Sequence, residues 1–364
     1  MFNPLQLLIP RKFLGIDIGT SYIKLVEISK FGYRTKLENY GSLSASILYE
    51  KTFRTFEKST LLLNSRDISR AILAIIEEAG IKAKLAIFSI PDFSTFFTNI
   101  ELPPMTKEEL PDAVRFEARQ HIPLPLNEVT LDWQIIEGKP LNQKKNSQTK
   151  LRVLLAAVPN EVINQYREIA RIAQLKLFAL EAEVFGLIRS LTEEDGLGPF
   201  AIIDIGAQST TCNVIDKKML QISHSFDMGG NEFTKVLSKS LNISEQEADA
   251  LKKKYGILPA ASGAGQDVRG ILLPLVDTIL REAERIFSSF AARQDKKIQK
   301  VLLAGGLALL PGLKEYFAEN LGKETEIANP FKNIFYPPIL EKTLKEMGPA
   351  FAIAAGMALR GLEY

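Results

Sequence analysis

Residues 14–20 read Leu-Gly-Ile-Asp-Ile-Gly-Thr, and residues 201–207 read Ala-Ile-Ile-Asp-Ile-Gly-Ala. One short pattern therefore occurs twice, about half a chain apart: an apolar run, aspartate, one apolar residue, glycine. Each run reads as a buried strand that reverses at its glycine, and the first is followed by a returning apolar stretch, Tyr22-Ile-Lys-Leu-Val-Glu-Ile28. A single Asp-x-Gly is an ordinary turn signal. Two copies give a chain the means to grip one ligand from both sides.

The residue types at these turns point to a magnesium–nucleotide. Gly19 and Gly206 are expected to take the positive-φ backbone that brings N–H groups onto phosphate oxygens. Thr20, Ser21, Ser209 and Thr210 add hydroxyl donors. Asp17 and Asp204, each at a strand end, would point into one cleft, where facing carboxylates repel unless a cation lies between them. Magnesium, held through water by Asp17 and Asp204, suits that gap because it keeps several waters and takes few protein ligands. A third turn, Val301-Leu-Leu-Ala-Gly-Gly306, lets backbone at Gly305 and Gly306 lie flat against a base or sugar. Glu282 falls on the apolar stripe of Leu275, Ile279, Ile286 and Phe290, where an acid is costly without a partner. Two readings stay open: Glu282 with Arg285 takes the ribose hydroxyls and the base, or Glu282 simply pairs with Arg281 or Arg285.

Composition narrows the alternatives. A chain of 364 residues exceeds one ordinary core, so an α/β protein of two lobes is expected. A formal net charge of +2 gives no footing for nucleic acid. Cys212 is the sole cysteine, which excludes a disulfide framework and fits a reducing cytoplasm. His121 and His224 lie too far apart in sequence to suggest zinc. No apolar run reaches the roughly 20 residues that span a bilayer. Arg11 and Lys12 follow the apolar leader rather than precede it, the wrong order for a secretory signal, so the leader is expected to pack on the protein. There is no P-loop, no strand-linked Gly-x-Gly-x-x-Gly and no serine–histidine–acid set.

Along the chain the expected units are residues 1–82 (first lobe), 83–177 (an inserted α+β subdomain), 178–199 (a connecting helix), 200–348 (second lobe) and 349–364 (a closing helix). Helices are expected from an Asp67 cap to a Gly80 stop, and over 106–120, 160–172, 180–191, 242–255, 274–292, 311–320 and 349–360. Residues 139–150 read as a solvated basic loop, and 260–266 as a flexible one.

These residues resemble the actin-like ATPase superfamily, which includes actin, DnaK-type chaperones and sugar kinases. Residues 14–28 look like its first phosphate element, 201–215 its second and 301–313 its adenosine element, with 180–191 and 349–360 as the two connecting helices. Within it the chain is most similar to the PilM family of type IV pilus assembly, and next to the division protein FtsA. The likeness rests on Phe116-Glu-Ala-Arg-Gln-His-Ile-Pro-Leu-Pro-Leu-Asn-Glu-Val129, on Met228-Gly-Gly-Asn-Glu-Phe-Thr234 and on Ile243-Ser-Glu-Gln-Glu-Ala-Asp-Ala-Leu-Lys252. The insertion at 83–177 matches the SHS2-like position shared with FtsA.

The resemblance implies an actin-like fold with duplicated mixed sheets, and ATP with Mg2+ in the cleft. It implies a partner, the cytoplasmic N-terminal peptide of the inner-membrane protein PilN, and a place at the inner face of that membrane through partners, with no direct insertion and no nucleic acid. Self-association is left open. It adds Gly229 and Gly230 to the nucleotide site, and Glu181 as the carboxylate that orients water in hydrolytic relatives. Ala207, Gln208 and Ala308 depart from the residues common in vigorous ATPases, so turnover is expected to be slow at most. The alternatives are an FtsA-like filament protein and a small-molecule kinase; the kinase would need a general base that no further motif supplies.

Overall fold

The computed structural model describes residues 11–45, 53–57, 60–141, 150–192, 198–259 and 264–363. In chain order, β1 (Arg11–Ile18), β2 (Tyr22–Phe31) and β3 (Arg34–Ser44) form an antiparallel meander. A short hairpin, β4 (Arg54–Glu57) with β5 (Thr60–Leu63), precedes α1 (Ser65–Glu78) and β6 (Leu85–Ile90). Next come β7 (Phe96–Leu102), α2 (Leu110–His121), β8 (Val129–Glu137), β9 (Leu151–Pro159) and α3 (Asn160–Ile172). The chain returns through β10 (Lys176–Ala182) into α4 (Glu183–Leu191). The second half runs β11 (Phe200–Ile205), β12 (Thr210–Asp216), β13 (Met219–Phe226), α5 (Gly230–Leu241), α6 (Glu245–Tyr255) and α7 (Ala264–Gln294). It ends with β14 (Lys300–Ala304), α8 (Leu313–Leu321), β15 (Glu324–Ile327) and α9 (Glu341–Arg360).

The strand orders show the duplication that the sequence hinted at. One sheet runs β10-β6-β1-β2-β3 and the other β15-β14-β11-β12-β13. In both, an antiparallel meander is extended on its first strand by two parallel neighbours. A separate three-stranded sheet, β7-β9-β8, carries α2 on one face, where Val114 and Ala118 meet Ile100, Val153 and Leu155.

Alternation along the strands sorts their faces. Leu14, Ile16 and Ile18 pack outward on α1 and α3, against Ile72, Ile75, Tyr166 and Ile169. Ala201, Ile203 and Ile205 likewise face α7 through Ile279, Ala283 and Ile286. The opposite faces look towards each other. Phe13 and Ile87 of the first sheet meet Phe200, Ile202 and Leu302 of the second around α4 and α9. Each fully buried aliphatic side chain here contributes roughly 1.5–3 kcal/mol. The two helices approach closely because Gly186 on α4 meets Gly356 on α9, where a β-carbon would overlap the Gly186 carbonyl.

Local details correct several expectations. Asn64, rather than Asp67, caps α1: its side chain accepts from Asp67 N at 3.3 Å. Residues 180–182 end a parallel strand instead of opening a helix, so Glu181 lies on β10. Helix α2 starts later than expected, because Thr106 N is taken by Glu109 Oε2 at 2.8 Å and Met105 O by Leu141 N. Helix α7 begins ten residues before Pro274 and α9 eight before Pro349. Both tolerate an internal proline because burial of Val268, Leu272, Val276 and Leu344 offsets the roughly 3 kcal/mol penalty. The basic loop lies largely outside the described residues, as does the start of 260–266. Glu27, fully buried, accepts from Lys82 N at 3.1 Å and Ala83 N at 2.7 Å, pinning the link from α1 into β6.

Candidate functional site

The two Asp-x-Gly turns close in the same way. Gly19 N donates to Tyr22 O at 2.9 Å, and Gly206 N donates to Ser209 O at 2.9 Å. Neither glycine has positive φ, contrary to expectation. Their requirement is steric: a β-carbon at Gly19 would stand 2.8 Å from Tyr22 O, and one at Gly206 3.0 Å from Ser209 O. The positive-φ position is Gly305, at +87°, whose β-carbon would fall 2.5 Å from Asp204 Oδ1. Nothing lies within 4 Å of the β-carbon position of Gly306, so that turn offers open backbone. Gly305 N donates to Pro349 O at 2.9 Å, which ties the third turn to α9.

The turns meet across the cleft. Thr20 Oγ1 donates to Gln208 Oε1 at 3.4 Å, and Asn231 Nδ2 to Ser21 Oγ at 3.4 Å. The first turn is also framed from outside, since Phe53 N donates to Thr20 O and Ala45 N to Ser21 O.

Asp17 is buried and already held. Lys24 Nζ donates to its Oδ2 at 3.0 Å and Ser89 Oγ to its Oδ1 at 3.0 Å. Lys24 is the residue that sequence reasoning missed. It sits directly opposite Asp17 in the β1–β2 register, and its ammonium is 3.7 Å from the Gly19 β-carbon position. Counting outward from the turn would have found the pair. With both oxygens engaged, Asp17 fits a hydrated cation better than a directly ligated one, while Lys24 supplies positive charge for phosphate at the turn. Asp204 follows the same parity as Ile202, so it faces the first sheet.

Other expected residues are placed differently. Gly230 N and Asn231 N donate to Gly206 O (2.9 Å) and Ala207 O (2.8 Å), so Gly229 and Gly230 buttress the second turn instead of presenting donors. A β-carbon at Gly229 would stand 2.7 Å from Ala207 O. Thr210 Oγ1 turns away to donate to Met228 O at 2.6 Å. Ser209 remains at the turn. Behind it, buried Lys252 donates to Gly230 O (3.1 Å) and Thr234 Oγ1 (2.6 Å), and pairs with Asp249 at 2.8 Å. Glu282 and Arg285 bond each other at 2.8 Å and reach His224 on β13, on the face opposite to Asp204. They are not brought to the cleft. Both oxygens of Glu181 are engaged by Arg189, at 2.7 and 2.8 Å, which leaves no free carboxylate to orient water.

An unforeseen acidic pair lies between the sheets. Asp92, just after β6, accepts from Val184 N at 3.1 Å through Oδ1, at the N-terminus of α4. Its N–H donates to Glu183 Oε2 at 3.4 Å, and its Oδ2 has no hydrogen bond. Burial pushes the Asp92 carboxyl well above the usual range, and the charges of Glu183 and Asp204 push the same way. Asn213 on β12, fully buried, stands beside it with an unbonded side-chain amide.

Comparison with known proteins gives a consistent picture. The family model of type IV pilus assembly protein PilM matches residues 15–362. Cell division protein FtsA of Enterococcus faecalis is 24% identical over 344 residues, covering 84% of this chain and 76% of that protein. FtsA of Enterococcus hirae is 26% identical over 354 residues, covering 87% and 78%. Among solved structures, a PilM–PilN type IV pilus biogenesis complex superposes with a TM-score of 0.79 at 26% identity, covering 96% of this chain and 98% of that one. MreB5 of Spiroplasma citri bound to AMPPNP (TM-score 0.54, 11% identity, 97% of each chain) shares the fold. So does the ethanolamine utilization protein EutJ of Carboxydothermus hydrogenoformans (0.57, 17%, 99% and 92%). The fold is that of the actin-like ATPases.

Proposed function

We propose, from the premise that this chain belongs to the PilM family of type IV pilus assembly proteins, that it is an ATP-dependent scaffold that grips the cytoplasmic tail of a PilN-type membrane protein. The observation that carries the nucleotide half is the meeting of the two matched turns, Thr20 on Gln208 and Ser21 on Asn231, beside the Asp17–Lys24 pair. Phosphates would lie against the turns at 19–21 and 206–209 with Lys24 as counter-charge, and the base against Gly305 and Gly306. Magnesium would be held through water by Asp17 and Asp204, and would supply charge neutralisation for the phosphates. Hydrolysis is slow in this reading, because Glu181 is committed to Arg189.

The partner half is supported by the likeness to the PilM–PilN complex. In this reading the insertion at 83–177 would give the tail a groove beside the three-stranded sheet. No helix among the described residues is long and apolar enough to cross a membrane. The likeness to the PilM–PilN complex supports a scaffold that reaches the inner face of the inner membrane through that partner. A ligand that closes the cleft shifts the groove only as far as it binds the two states differently. Fluorescence anisotropy with a labelled N-terminal peptide of PilN tests the pair of claims. Saturable binding that changes on adding magnesium–ATP is expected; absence of binding with and without nucleotide contradicts the scaffold.

A further inference from the structure

Five consecutive residues at the far end of the first sheet, Lys30-Phe-Gly-Tyr-Arg34, are all exposed. They form the tight link from β2 to β3, with Gly32 at φ +59°. A link of this kind calls for glycine and polar neighbours. Here Phe31 is 55% and Tyr33 104% exposed. Strand register adds charge around them: Arg11 lies opposite Lys30 and Lys12 opposite Ser29, while Arg34 lies opposite Phe31 and Lys36 opposite Ser29. Cations Arg11, Lys12, Lys30, Arg34 and Lys36 gather at this end, and Glu38 lies 3.6 Å from Lys12 and 3.3 Å from Lys36. One strand further on, Phe335 N donates to Thr35 O at 2.9 Å, and Phe335 and Ile339 are also exposed.

We propose that this end of the molecule rests on an anionic lipid surface, with Phe31 and Tyr33 seated among the headgroups. Aromatic rings prefer the membrane–water boundary, and clustered lysine and arginine are drawn to an anionic leaflet. The combination gives shallow, reversible contact without a spanning segment. Tyr33 projects freely, so the tip of the link fits a surface. A second copy docking here would set like-charged patches against each other. The contact goes beyond the pilus reading and depends on neither the nucleotide nor the tail. It has a consequence for orientation: the eight residues of β1 separate this end from the turn at Gly19, about 26 Å at ~3.3 Å per residue. The cleft would therefore open away from the bilayer.

The test is sedimentation of the full chain with phosphatidylcholine vesicles and with vesicles containing phosphatidylglycerol. Binding to the anionic vesicles alone, weakening as salt rises, is expected. Each lost cation should weaken it about fivefold, so Lys30→Glu with Arg34→Glu should weaken it by more than 20-fold. Phe31→Ser with Tyr33→Ser should weaken it with charge unchanged, and Tyr33→Trp fluorescence should shift to the blue on anionic vesicles. All four positions are exposed, and circular dichroism melts confirm that the variants fold. Equal binding to both vesicle types at low salt, no binding to either, indifference to both double variants, or an unshifted Tyr33→Trp spectrum overturns the proposal. Polyglutamate bound by the native tip in the absence of vesicle binding would also overturn it, and assign the tip to an acidic protein.

Discussion

Asp17 and Lys24 show how one cross-strand pair can serve both fold and ligand. The pair is nearly buried, and removing either partner strands the other; breaking such a pair costs about 3–5 kcal/mol. The two removals differ, because a lysine stem can carry its charge out into the cleft whereas a carboxylate cannot follow. Asp17→Ala should therefore stay folded, losing about 1–3 kcal/mol, and Lys24→Met should lose more. Both should lose most of the thermal protection given by magnesium–ATP, as read by a thermal-shift titration; full protection in both would remove them from the site. Asp92 gives a prediction of opposite sign. Its pKa is raised by folding, so the folded state keeps a proton that the unfolded state releases above its ordinary value of about 4. Stability then falls as pH climbs from there through the raised value. Asp92→Asn keeps the acceptor for Val184 N and carries no charge. It should exceed the native chain in stability at neutral pH and match it in acid, by urea melts across pH. A native chain at least as stable as the variant at pH 7 would contradict this.

Elements differ in how far the sequence exposes them. The two hairpins were legible because an apolar run ending in Asp-x-Gly occurs twice, and α1 because Ile68, Ala71, Ile72, Ile75 and Ile76 recur at helical spacing. Strand β10 was not legible: Leu-Glu-Ala at 180–182 favours helix, and only parallel pairing with β6 makes it extended, a tertiary contact that local composition cannot show. The starts of α7 and α9 were hidden by prolines that burial overrides. At the site, the twin aspartates and turn hydroxyls were readable from spacing. Lys24 needed register, and the Asp92–Glu183 pair needed contacts between residues about ninety positions apart. Of the two readings of Glu282 the salt bridge with Arg285 holds; the helix stripe gave the residue's face but not which side of the sheet the helix covers. The crossing of α4 and α9 carries its own prediction. Gly356→Leu would drive a side chain into the Gly186 backbone, which overpacks a helix pair lying between both sheets. A loss of about 3 kcal/mol or more is expected in urea unfolding, and a neutral effect would mean that the helices can part freely.

The whole molecule is a doubled sheet plan folded about two helices, and its interior is correspondingly closed. Cys212 lies in the second core with its thiol pushed up to about 12 by burial. It should resist a thiol reagent in the native protein and react at once in denaturant; rapid native reaction would show that the core opens. What the doubling accomplishes depends on whether the facing turns hold one nucleotide between them. Isothermal titration of the folded protein with magnesium–ATP measures that directly. One site per chain, with affinity sharply reduced in Lys24→Met, is the expected result. No heat with either ATP or ADP, on protein whose melting shows it folded, would contradict the account.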